Sequence, residues 1–346
     1  MSLSLAQPPR EEERKDLRVC IAGAGAIGIT LGARIALGGY PVSMLARGKS
    51  LSAIKERGLR LVDMTGDHSP RVIAGEPADL PEADVIFLCP KSQDLPALAE
   101  ASQRIIGPRT LIVPVVNGIP WWYFDGINTR FYGRDVKAVD PEGRLKQLLP
   151  SDRVIGAVTT ITAERVAPGF ACSVNPLRFV LGEIDHSISD RVEQLGAMLN
   201  ASGITTRVTD KIRDSLWTKV IANLVSNPLS VVSGAVLRDI GGHPSLSQVT
   251  RALVNEVLPV AAAYGARVEL DPEALLELPA GLGDIRTSML QDFEKHMPLE
   301  TAAICDAVIE LAELRGLQMP MTKAIGILAN YRSAQSREAR PQPIFS

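Results

Sequence analysis

The sequence predicts an α/β domain built on a doubly wound parallel sheet, followed by an all-α domain. Three observations carry this. A glycine-rich segment stands between a short β-prone run and a helical one. Two continuous apolar runs, 84–89 and 110–116, read as strands buried on both faces of a parallel sheet. From about Asp210 onward strand signals give way to long helical periods. A chain of 346 residues has room for two domains, each with its own core. The expected boundaries are a disordered tail over 1–16, a nucleotide-binding domain over 17–205, a helical substrate and catalytic domain over 206–336, and a second disordered tail over 337–346.

The first strand is the run Arg18-Val19-Cys20-Ile21-Ala22. It leads into Gly23-Ala24-Gly25-Ala26-Ile27-Gly28 and then a helix over 29–37. This is G-x-G-x-x-G in its required setting of strand, turn and helix, the mark of a Rossmann-type domain. Gly23 permits the tight turn, Gly25 lets backbone approach a pyrophosphate, and Gly28 lets helix pack close to strand. The free N–H groups and dipole of the helix N-terminus favour the anion. Residues 23–28 are therefore the candidate dinucleotide loop.

Gly38-Gly39 ends the helix, and 41–46 reads as the second strand. The runs 59–62 and 71–73 suggest a hairpin or a strand pair; 154–161 and 179–182 supply further strands. Segment 121–150 is unusual in an aromatic-poor chain, with Trp121-Trp122-Tyr123-Phe124 adjacent and Phe131-Tyr132 soon after. The turn signal Asp140-Pro141-Glu142-Gly143 suggests a hairpin. A hydrophobic plug holding down a long connection is the preferred role; a cover over the cofactor or a subunit contact are the alternatives.

An acidic residue after the second strand would hold the ribose 2′-hydroxyl of NAD. This chain offers Arg47 there, with Lys49 nearby, which suits a 2′-phosphate and so NADP; a plain surface cation is the alternative. Lys91 and Asn117 each follow a strand, at the carboxyl ends where doubly wound sheets bind ligands. For Lys91 an ordinary loop lysine is the rival reading.

In the helical part, the run from Leu216 to Leu229 places Lys219, Asn223 and Asn227 at i, i+4 and i+8, on one helix face among apolar residues. Such groups are costly to bury unless something polar meets them. Pro228 lacks an N–H and disfavours helix at Asn227, so the helix is expected to kink or stop there. The row faces a cavity, or it is a solvated stripe or a buried structural network. Downstream, Ser288 precedes Met289-Leu290-Gln291-Asp292, and Glu300 opens a long helix twelve residues after Ser288. A carboxylate near Lys219 would favour its charged form. Taken alone, Glu300 reads as an acid serving the helix dipole.

Composition narrows the function classes. A net charge of −2 without a long basic block argues against nucleic acid. No apolar stretch reaches the ~20 residues of a membrane span. The first sixteen residues show no apolar core or cleavage site of a signal peptide. Cys20, Cys89, Cys172 and Cys305 have neither metal-ligand spacing nor a disulfide framework, and His68, His186, His243 and His296 form no cluster. No metal and a reducing, cytoplasmic location are expected; a homodimer is compatible with the sequence.

Together these residues resemble the 2-dehydropantoate 2-reductase (ketopantoate reductase) family, from Arg18 to about Ile325. The resemblance rests on the Gly23–Gly28 loop, Arg47, Lys91, Asn117-Gly118, the Lys219-x3-Asn223-x3-Asn227-Pro228 element, and Thr287-Ser288-Met289-Leu290-Gln291-Asp292 with Glu300. It implies a C-terminal domain like that of 6-phosphogluconate dehydrogenase. It implies Lys219 as catalytic acid assisted by Glu300. Asn223, Asn227 and Ser288 would bind substrate, Lys91 the cofactor, and Asn117 the junction of the two. The implied reaction is NADPH-dependent reduction of ketopantoate to pantoate, in pantothenate and coenzyme A biosynthesis.

The chain also departs from the family. Glu300 is followed by Thr301-Ala302-Ala303-Ile304-Cys305-Asp306, where the family usually carries Glu-Ile-Asp and then a small residue. The stretch 123–150 is long, and Leu237 falls near the place of a further substrate asparagine. These departures leave two alternatives: a paralogue reducing another branched 2-oxo acid, and a non-catalytic NADP-binding redox sensor. The lysine, glutamate, serine and both asparagines argue against a sensor, which needs no acid. In the chemistry, reduced nicotinamide delivers hydride to the C2 carbonyl of a 2-oxo acid while the Lys219 ammonium stabilises the developing oxyanion and donates the proton.

Overall fold

A computed structural model describes residues 16–269, 271, 274, 281 and 283–338. Most of the expected N-terminal tail, 1–15, and residues 339–346 lie outside the described residues. The chain divides into two compact units. The first comprises Met1–Pro90, Asp94–Val116 and Gln147–Ile212; the second comprises Lys91–Gln93, Asn117–Lys146 and Arg213–Ser346.

The described residues of the first unit include twelve strands. These are β1 (Val19–Ala22), β2 (Val42–Leu45), β3 (Arg60–Asp63), β4 (Gly66–His68), β5 (Ile73–Gly75), β6 (Ala83–Leu88), β7 (Ile106–Pro114), β8 (Ile155–Thr159), β9 (Ala163–Ala167), β10 (Phe170–Ser173), β11 (Arg178–Glu183) and β12 (Thr205–Val208). Five of them form a parallel, Rossmann-like sheet in the order β5-β2-β1-β6-β7. The chain moves outward from β1 to β2 and β5, then returns to β6 beside β1. The topological switch point therefore lies between β1 and β6, where open sheets of this kind take ligands. β1 and β2 are buried at every position and β6 at all but one, which explains their unbroken apolar runs.

The remaining strands make a four-stranded sheet, β4-β3-β10-β9, and a three-stranded sheet, β12-β11-β8. Here the structure corrects the expected pairing of 59–62 with 71–73. β3 forms its antiparallel hairpin with Gly66–His68, and Ile73–Gly75 joins β2 in parallel. The short Asp63–Gly66 turn brings β4 back immediately, so β3 is already paired before the chain reaches residue 71.

The second unit is helical. Its main helices are Ile212–Ser233, Pro244–Ala263 and Pro320–Glu338, with shorter ones at Leu237–Gly242, Ser288–Glu294 and Ala307–Glu313. No strand follows Val208 among the described residues. The Ile212–Ser233 helix runs through Pro228, so it does not stop there. Tertiary burial overrides the local penalty: Leu224, Val225, Leu229 and Val231 are at most 3% exposed. The Ser230 hydroxyl also takes up the Asn227 carbonyl at 2.6 Å. The last helix reaches Glu338, so Arg337 and Glu338 are helical where a tail was expected.

The segment 121–150 contains no strand, which corrects the expected hairpin. Asp140 instead caps the short helix Arg144–Leu148, accepting from the N–H groups of Leu145 and Lys146 at 3.1 and 3.2 Å. Residues 117–146 cluster with the helical unit, so the unit division differs from a single boundary near 206. The cause is aromatic. Trp121, Trp122, Tyr123 and Phe124 are 1–2% exposed, and Tyr123 accepts a 2.7 Å hydrogen bond from Trp217 Nε1. The Arg213 guanidinium donates to the carbonyls of Tyr123 and Asp125. Fully burying each such ring contributes roughly 2–3 kcal/mol. The segment is a plug within the helical unit.

Candidate functional site

The glycine loop of the first unit has three glycines with three distinct requirements. Gly23 has φ +107°, and a Cβ there would lie 3.0 Å from the Cys89 carbonyl oxygen, across the switch point. At Gly28 a Cβ would fall 1.9 Å from the Gly23 carbonyl oxygen, so close packing of helix on turn demands glycine. Gly25 is different. Its φ of −79° suits any residue, and a Cβ would meet nothing nearer than the Cys89 oxygen at 3.9 Å. The protein itself places no demand for glycine at 25; a group approaching the backbone from outside would. The helix Ala26–Leu37 has no side-chain cap and no acid in its first turn, which leaves its N-terminal N–H groups and dipole to an anion. These residues fit a dinucleotide pyrophosphate.

Arg47 follows β2 as N-cap of the helix Gly48–Arg57, in extended conformation with φ −139°. It is exposed, and its guanidinium makes no hydrogen bond or ion pair with any described residue. The guanidinium is free to meet a phosphate in the region where the ribose of a dinucleotide on this fold would lie.

The second unit assembles the charged cluster. Glu300 is buried at 4% exposure and both its oxygens are engaged. Oε1 accepts from the Ser92 backbone N–H at 2.8 Å, and Oε2 from Asn117 Nδ2 at 3.1 Å. Lys91 Nζ lies 2.5 Å from Asp292 Oδ2 and 3.9 Å from Glu300 Oε2. Burial pushes the Asp292 carboxyl above its ordinary range, and the neighbouring Lys91 ammonium pulls it back.

Lys219 sits on the Ile212–Ser233 helix, and its ammonium makes no hydrogen bond or ion pair with any described residue. Burial pushes its ammonium down to about 8, and the Glu300 charge opposes that fall. Asn223, one turn on, is half-buried and also has no partner among the described residues. Asn227 is 3% exposed, and its Nδ2 is a buried donor without an acceptor. Ser288 opens the Ser288–Glu294 helix, is exposed, and makes no hydrogen bond with a described residue; Thr287 before it supplies the cap, accepting from Leu290 N–H at 3.1 Å. The row Lys219–Asn223–Asn227 is therefore not a structural network among the described residues, because its ammonium and amide N–H groups meet no protein acceptor.

Two features escape sequence reasoning. One is Asp292, which the sequence places four residues after Ser288 without a partner. The other is the loop Asn117-Gly118-Ile119. Gly118 has φ +85°, and a Cβ there would lie 2.3 Å from the Ala303 carbonyl oxygen. That same oxygen accepts from Ile119 N–H at 2.9 Å. Ala303 belongs to a π-helical turn, Ala302–Asp306, directly after Glu300, so Glu300 leads into a π-turn before the regular helix Ala307–Glu313. The turn docks the 117–119 loop and brings Asn117 onto the Glu300 carboxylate. The glycine after Asn117 was the one available signal.

Among the described residues no group of three or more His, Cys, Asp or Glu could hold a metal ion. All four cysteines are free, and among the described residues no helix is long and apolar enough to cross a membrane.

Comparison with known proteins agrees with this geometry. Residues 19–186 match the family described as ketopantoate reductase PanE/ApbA, and residues 211–331 match its C-terminal domain. A 2-dehydropantoate 2-reductase from Mesorhizobium japonicum is 34% identical over 312 residues, covering 89% of this chain and 95% of that one. The structure of a candidate ketopantoate reductase from Ralstonia solanacearum superposes with a TM-score of 0.88 at 35% identity, over 93% of this chain and 98% of that one. D-mandelate dehydrogenase, solved with NADH and anilino(oxo)acetate, shares the fold at a TM-score of 0.79 and 21% identity, over 92% and 99%. The chain belongs to the ketopantoate reductase PanE/ApbA family of oxidoreductases, in both its N-terminal and its C-terminal parts.

Proposed function

We propose that the protein reduces ketopantoate to pantoate with NADPH, the reductive step of pantothenate and coenzyme A biosynthesis. The observation that carries this reading is Lys219: an ammonium in a largely buried setting, without a hydrogen-bond or ion-pair partner among the described residues, biased toward its charged form by Glu300. A cation held this way is available to an incoming carbonyl oxygen. When bound, the reduced cofactor supplies the hydride. Lys219 offsets the negative charge that develops on the C2 oxygen and gives that oxygen its proton. Glu300 favours the protonated lysine, and Asn117 fixes the Glu300 carboxylate. Asn223, Asn227 and Ser288 present side-chain donors that find no acceptor among the described residues, suited to the substrate's carboxylate and hydroxyl without adding charge. Gly23, Ala24, Gly25, Ala26, Ile27 and Gly28 receive the cofactor pyrophosphate, and Arg47 its 2′-phosphate. Lys91 is held at the Glu300 cluster, and its ammonium is assigned to the cofactor.

The test is consumption of NADPH followed by absorbance, with ketopantoate beside a panel of bulky 2-oxo acids and with NADH in parallel. The account expects ketopantoate and NADPH to give the highest kcat/KM. A second reading, reduction of another bulky 2-oxo acid, is favoured by Ala302 and Leu237, where the sequence departs from the family pattern. The same fold also carries an activity named for mandelate, so phenylglyoxylate belongs in the panel.

A further inference from the structure

Glu300 is an acidic neighbour of Lys91, and its charge also acts on Lys219. Lys91 makes a long ion pair with it at 3.9 Å, and a much shorter, hydrogen-bonded one with Asp292 at 2.5 Å. We propose that Asp292 is a positioning residue that holds Lys91 aside, so that Glu300 remains the counter-charge of Lys219. This rests on Lys219 as the proton donor.

Both carboxylates are well buried, with side-chain exposures of 14% for Asp292 and 4% for Glu300. In such surroundings an ammonium follows the nearer, better-exposed carboxylate, and a lone carboxylate attracts any cation in reach. Lys91 has a flexible stem and three donors. With Asp292 neutral, Glu300 is the remaining acidic partner in its reach. A direct Lys91–Glu300 pair would compete with Asn117 for Oε2 and cancel the field that keeps Lys219 charged.

The charged groups around these residues are few. Lys219 feels Glu300. Asp292 feels Lys91 and Glu300 from other segments and Lys295 from its own helix. The arrangement therefore acts through Lys91, and that separates it from a simple field effect of Asp292.

The test reads Lys219 directly, without substrate, by titrating 13Cε-lysine-labelled full-length protein by NMR; Lys219→Arg assigns the signal. Asp292→Asn should lower the Lys219 midpoint by about half a pH unit or more. Lys91→Met should raise it. In the Lys91→Met background, adding Asp292→Asn should change nothing, because no lysine remains to be released. Asp292→Glu should keep the native midpoint and guards against a variant that merely fails to fold. An unchanged midpoint in Asp292→Asn, or the same shift with and without Lys91, would overturn the proposal. Normal titration of Lys219 with no reduction of any 2-oxo acid would instead count against the functional reading alone.

Discussion

Asn117 Nδ2 donates to Glu300 Oε2 at 3.1 Å, joining residues 183 positions apart in the chain. The contact depends on Gly118 and on the π-turn at Ala303. It leaves Glu300 with both oxygens committed, so its charge acts on Lys219 from a fixed position.

The three motif glycines should respond differently to alanine. Gly28→Ala places a Cβ 1.9 Å from the Gly23 oxygen and should cost about 1–3 kcal/mol of stability. Gly25→Ala meets only ordinary contacts, so its Tm should stay near native while NADPH binding weakens at least ~10-fold. Calorimetry beside a cofactor titration checks both. Native NADPH affinity in Gly25→Ala would remove the pyrophosphate from this loop.

Arg47 is exposed and unpaired among the described residues, so Arg47→Ala should leave stability unchanged. It should raise the NADPH KM roughly tenfold or more, the scale of a lost hydrogen bond to a charged group, and leave NADH use nearly untouched. Steady-state kinetics with both cofactors decides this; an equal effect on both would mean that Arg47 does not read the 2′-phosphate.

The pH profile follows from Lys219. Its ammonium is pushed down to about 8, so the proton to be donated is present below that pH and lost above it. The kcat for reduction should therefore fall as pH rises through about 8. The stability consequence has the opposite sense. The unfolded chain holds this proton up to the ordinary lysine range, so folding is penalised below about 8 and the penalty fades toward that range. Lys219→Met should then raise Tm at pH 7 while abolishing turnover. A lowered Tm would show that Lys219 contributes net stability.

Asn227→Ala removes a buried amide whose Nδ2 has no acceptor, so the change loses no protein hydrogen bond. Its expected signature is a raised KM for the 2-oxo acid with Tm close to native. A large fall in Tm at unchanged KM would return Asn227 to a structural role.

The parts of the fold and site that are legible in the sequence are those encoded locally. The strand–glycine–helix passage at 19–37 and the i, i+4, i+8 row at 219–227 depend only on neighbouring residues. The contacts that complete the cluster do not. Lys91 and Asp292 are 201 positions apart, and nothing local in either segment announces the other. Pro228 reads as a break because local propensity is weighed without the burial that surrounds it. The 121–124 aromatics read as a plug from composition alone. That they bind 117–146 to the helical unit depends on Trp217, Arg213 and Tyr264, which only tertiary packing brings together.

The account turns on Lys219 as the proton donor, and steady-state kinetics of Lys219→Ala with NADPH and ketopantoate tests it most directly. Turnover should fall at least ~100-fold, the scale of a lost general acid, while NADPH affinity measured by fluorescence changes far less. Glu300→Ala should lose less, and the double variant should lose less than the product of the two, because the pair acts as a unit. Near-native turnover in a folded Lys219→Ala protein would place the acid elsewhere and contradict the mechanism.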